Sequence, residues 1–106
     1  MSDEPVELNA EELRQKLNLE TGKLSWEELQ RFFARGVVVV AGPELDLIEV
    51  AVAFTEDKKQ RIEQWIENDQ LARANDEHAL QWQARNTVFW SVVVAPWVIV
   101  QEISEP

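Results

Sequence analysis

Thirteen consecutive residues near the C-terminus, Val88 to Val100, carry no charge, and no lysine or arginine follows Arg85. This run limits the chain more than any other segment. It is well short of the ~20 apolar residues that a membrane-spanning helix needs. Ser91 and Pro96 also interrupt it. Most of its residues are β-branched or aromatic, types that suit a packed, pleated surface. Residues 88–94 are therefore expected to form one strand and 97–103 another, or a single strand broken at Pro96, which cannot donate to a ladder. Phe89 and Val93 would face one way, and Trp90, Val92 and Val94 the other. Both faces are apolar, so both need cover from elsewhere in the chain.

Helical segments can supply that cover. Asn9 can cap a helix over 10–17, with Glu11 and Glu12 in the first turn, where the helix dipole favours negative charge. Asn18 to Leu24 contains Gly22 and reads as a connector. Ser25-Trp26-Glu27-Glu28 is a capping box that opens a helix over 26–35, and Gly36 suits a left-handed stop. Residues 76–85 form another helix, capped by Asn75 or Asp76, with Ala79 and Trp82 on one face. Val37 to Ala41, between Gly36 and Gly42-Pro43, is a strand that is apolar on both sides and therefore central. Residues 71–74 suit a short edge strand.

Two periodicities compete over Leu45 to Phe54. Ile48, Val50, Val52 and Phe54 alternate as a strand would, whereas Leu47, Val50, Ala51 and Phe54 fit a helix. The helix is chosen because a strand leaves Leu47, Ala51 and Ala53 without a use. It continues over 45–68 with a kink near Thr55, where Asp57 could cap the second half. The expected class is α+β, a three- or four-stranded sheet packed with about four helices. Residues 1–8 read as a flexible acidic leader, 9–103 as a single globular domain and 104–106 as a tail.

Composition narrows function mainly by exclusion. At 106 residues and 45% hydrophobic content, the chain has material for one core. It has no cysteine, which removes disulfides, thiolate catalysis and thiolate zinc sites. The acidic start lacks a signal-peptide plan, so a cytoplasmic location is expected. The net charge of −10 repels phosphate backbones and anionic lipid, so neither direct nucleic-acid binding nor membrane binding is expected.

No motif for chemistry stands out, and neither a catalytic residue nor a cofactor is assigned. His78, the sole histidine, has no serine on a nucleophile elbow to serve. Glu49, Glu56 and Asp57 could cluster around a hard cation, but calcium-loop spacing is missing. Glu44 and Asp46 would repel an anion after Gly42-Pro43. Five tryptophans remain, a residue over-represented at binding hot spots. Core packing accounts for Trp65 and Trp82, which leaves Trp26, Trp90 and Trp97 as candidate interface residues.

The motifs Leu17-Asn18-Leu19-Glu20-Thr21-Gly22-Lys23-Leu24-Ser25-Trp26, Leu45-Asp46-Leu47-Ile48-Glu49-Val50-Ala51 and Val92-Val93-Val94-Ala95-Pro96-Trp97-Val98-Ile99-Val100-Gln101-Glu102 resemble a bacterial family, domain of unknown function 2288. The resemblance runs from about Leu8 to Glu102 and implies a stand-alone bacterial protein with no assigned activity. The leading expectation is a non-enzymatic interaction or structural protein, homodimeric or partner-bound through its Trp-bearing C-terminal strands. Two alternatives stand beside it: a small-molecule or metal site using Glu49, Asp57 and His78, and an acidic mimic that binds a basic partner protein.

Overall fold

The computed structural model describes residues 9–103. The leader and tail expected at 1–8 and 104–106 lie outside the described residues. In chain order the elements are α1 (Ala10–Glu20), β1 (Gly22–Ser25), α2 (Trp26–Ala34), β2 (Val38–Ala41), α3 (Leu47–Thr55), α4 (Lys59–Glu67), β3 (Leu71–Arg73), α5 (Asp76–Arg85), β4 (Val88–Val94) and β5 (Trp97–Glu102). The strands form one sheet in the order β1-β4-β5-β2-β3. β2 and β5 run parallel and every other neighbouring pair is antiparallel.

The two apolar faces of β4 and β5 are both packed by helices, although Val88, Trp90 and Val93 on β4 stay exposed. On the first face Val92, Ile99, Val39 and Ala41 pack with α1, α3 and α4. On the second, Phe89, Val98, Val100 and Val38 pack with α2 and α5. Alternation along each strand thus feeds two cores from one sheet. The second core centres on aromatic rings. Trp82 lies 4.8 Å from Phe89 edge-on, and Trp26 lies 5.5 Å from Trp82. Both indole N–H groups are buried without a conventional acceptor. Trp26 also meets Phe33 edge-on, at 5.6 Å between ring centroids.

Three expectations need correcting. The sheet has five strands rather than three or four, because the supposed connector 18–24 is not one. α1 continues to Glu20, and Gly22–Ser25 then pairs with β4, Leu24 opposite Phe89 and Gly22 opposite Ser91. The segment Gly-Lys-Leu-Ser has little strand propensity of its own; a ladder with β4 supplies what the local sequence lacks. The expected helix over 45–68 is divided in two. α3 ends at Thr55, and Asp57 adopts φ 55, a left-handed conformation that an α-helix cannot continue through. Asp57 is also not the cap of α4. That position is Lys58, which makes no side-chain cap bond.

The helical choice for α3 holds, and its packing explains the earlier ambiguity. Leu47, Val50, Ala51, Val52 and Ala53 are all buried. A helix buried around most of its circumference loses the one-sided stripe that marks an amphipathic segment. The sheet edges are short, four residues in β1 and three in β3, and β1 carries Lys23. Short, charged edges discourage strand addition by another chain. β4 and β5, the Trp-bearing strands, lie inside the sheet. Their accessible parts are therefore side chains on a face.

Candidate functional site at Trp90

Lys23, Trp90 and Gln101 stand in one row across β1, β4 and β5, each opposite the next in the register. Opposed residues share a face, here the face covered by α1, α3 and α4. Gln101 fastens the row to the loop that follows β2. Its amide Nε2 donates to the carbonyl oxygens of Gly42 at 2.8 Å and Leu45 at 2.7 Å. Asp46 then caps α3, accepting from the backbone N–H of Ile48 at 2.9 Å. The loop thereby carries Glu44, Leu45 and Asp46 alongside Trp90, and Asn18 and Thr21 at the end of α1 close the far side. The resulting groove encloses about 560 Å³.

Trp90 is 40% exposed at this groove, and Val88, on the same strand face, is exposed beside it. The Lys23 ammonium lies 5.1 Å from the Trp90 ring centroid. Among the described residues no salt bridge engages Lys23, Glu44 or Asp46. The groove combines an apolar floor from Leu45, Leu47 and Ile48 with two carboxylates at its rim.

The other candidate residues are dispersed. Trp26 is only 8% exposed and is packed into the second core, so it offers no docking surface. Trp97 is half-buried, edge-on to Phe54 at 6.5 Å, with the Arg73 guanidinium 5.4 Å from its ring. Arg73 is itself held by Gly36, whose carbonyl accepts from Nη2 at 2.7 Å. Glu49 on α3 accepts from Nε and Nη2 of Arg14, with Arg61 4.0 Å away. The hydrogen bond from Arg14 holds the Glu49 carboxyl below its ordinary range, and the same bond raises Arg14. Asp57, in the α3–α4 turn, has a side chain 76% exposed beside Lys59.

His78 lies on the opposite side of the sheet. Its Nδ1 accepts from the Asn75 backbone N–H at 3.0 Å while Asn75 Oδ1 accepts from the His78 N–H, a reciprocal cap on α5. The ring also stacks on Trp82 at 5.3 Å. It borders a second concavity of about 320 Å³ with Asp69, Gln70 and Glu102. Glu49, Asp57 and His78 do not converge, because the sheet separates the helices that carry Glu49 and His78. Among the described residues no three acidic or imidazole groups could share a metal ion. No helix of the described residues is long and apolar enough to cross a membrane.

Lys23 and Gln101, in line with Trp90, are the residues that sequence reasoning misses, and it reads Glu44 only as repelling an anion. The register across β1, β4 and β5 sets Lys23 and Gln101 beside Trp90, and the bonds from Gln101 to the loop bring Glu44 to the same groove; no local motif encodes either. The fold is similar to the NMR solution structure of PA1075 from Pseudomonas aeruginosa, at 38% identity and TM-score 0.79, over 98% of this chain and 95% of that one. No curated protein matches the chain. The family model described as "Protein of unknown function (DUF2288)" matches residues 12–102, and the chain belongs to that family.

Proposed function

We propose that this chain is a non-enzymatic interaction protein of the cytoplasm that docks a partner protein over the Trp90 groove. The exposure of Trp90 carries this reading. On a sheet where Phe89 is enclosed and Trp97 half-buried, this ring remains 40% open beside a concavity with apolar lining. Exposed tryptophans in such settings are the usual anchors of protein interfaces. The net charge of −10 favours a partner of opposite charge over a second acidic copy, because like-charged surfaces repel as they approach. Homodimerisation is therefore the secondary form of the proposal.

A photo-crosslinking residue at position 90, with one at Arg85 as control, tests the site. The expected result is a specific adduct from position 90. The purified partner identified from it should then bind the Trp90→Ala variant at least tenfold more weakly. Equal binding to that variant, or equal crosslinking from position 85, would overturn the proposal. Sedimentation of the isolated protein separates the two forms, since a dimer lost on Trp90→Ala would make the partner a second copy.

A further inference from the structure

We infer that the group received by the groove is a lysine or arginine side chain of the partner. This rests on the docking reading of Trp90. Lys23 and Trp90 are opposite each other in the β1–β4 ladder, and the ammonium stands 5.1 Å from the ring centroid. One face of Trp90 thus already attracts a cation through the ring quadrupole, and Lys23 is not among the residues that line the groove.

Lys23 does not neutralise the acidic side of the groove. It lies on the outermost strand, is exposed, and makes no salt bridge among the described residues. The groove is acidic on one side: Glu44 and Asp46 line it, and while Asp46 is engaged in capping α3, Glu44 has no salt-bridge partner among the described residues. A cation entering from a partner would meet the Trp90 ring and the Glu44 carboxylate in one groove. Its aliphatic stem would lie on Leu45 and Ile48, as long basic side chains do on apolar surface. A purely apolar side chain would fill the floor and leave the Glu44 carboxylate unanswered.

Small probes test this on the full chain without a known partner. Nα-acetyl-arginine amide, its neutral near-isostere Nα-acetyl-citrulline amide and Nα-acetyl-leucine amide are titrated separately while the Trp90 indole N–H signal is followed by NMR. That signal is assigned by its loss in Trp90→Phe. Saturable shifts with the arginine probe, at least fivefold tighter than with citrulline and weakened by salt, are expected. Glu44→Gln should weaken arginine binding severalfold. Equal response to arginine and citrulline, or no loss in Glu44→Gln, would overturn the inference. A response to leucine alone would also overturn it while leaving Trp90 as a docking residue. Position-90 crosslinking judges the docking reading separately.

Discussion

Gln101 and Leu45, 56 residues apart in sequence, are joined by a 2.7 Å hydrogen bond from a side-chain amide to a backbone carbonyl. The same Nε2 reaches Gly42, so one side chain of β5 spans the loop between β2 and α3. The wall of the Trp90 groove therefore depends on a strand that is the last to be made. Gln101→Leu removes both bonds and leaves two part-buried carbonyls without that donor. A loss of about 1–3 kcal/mol is expected in urea denaturation. Amide exchange at Leu45 to Leu47 should accelerate more than at Val98 to Val100. Unchanged stability and exchange would show that the loop holds itself.

Acid should weaken the fold partly through Glu49. Its carboxyl sits below the ordinary value of 4.5 because Arg14 donates to it. A depressed folded-state value means that the contribution is fully present above the unfolded value and is lost as pH falls through the folded one. Glu49→Gln should therefore be less stable than the parent at pH 7, and the difference should shrink steadily below about pH 4.5. A gap that persists undiminished to pH 2 would assign the loss to packing. The pair is part-exposed, so salt should narrow the gap as well.

The cap of α5 predicts coupling. Asn75 and His78 each accept a hydrogen bond from the other's backbone N–H. Asn75→Ala should cost about 1 kcal/mol, a typical value for a lost N-cap. His78→Ala loses the reciprocal bond and the contact with Trp82. If the two act as one device, the double variant should lose less than the sum of the singles, by roughly 0.5 kcal/mol or more. Strict additivity in thermal or urea unfolding would show two independent contributions.

Elements with a local signature were legible in the sequence, and those made by distant pairing were not. The Ser25–Glu28 capping box, the αL glycine at Gly36 and the uncharged run of β4 and β5 each state their structure within a few residues. β1 carries no such statement, since Gly22–Ser25 becomes a strand only against Phe89 and Ser91. The same limit applies to the site. Trp90 was visible as an unexplained aromatic, but whether Trp26 or Trp90 stays open depends on which helix covers which face. α2 buries Trp26 through its own start, while the row Lys23–Trp90–Gln101 lies only partly under α1 and α3. Acidity proved a poor guide to position, because Glu49 is committed to Arg14 and Asp57 to a turn.

Trp82 and Trp90 offer a comparison that separates folding from recognition. Trp82 is fully enclosed and touches Trp26, His78 and Phe89, so Trp82→Ala should cost about 3–5 kcal/mol, the range for truncating a core aromatic. Trp90 is part-open, and much of its surface is already in water in the folded state. Its truncation to alanine should cost about 1–2 kcal/mol, because less apolar area is returned to solvent. Denaturant midpoints of the two variants measure the contrast. A large stability loss at Trp82 with a small one at Trp90 would mean that the ring of Trp90 contributes little to the fold for its size. Comparable losses would place Trp90 in the core, and an effect of Trp90→Ala on partner binding would then have to be read as misfolding.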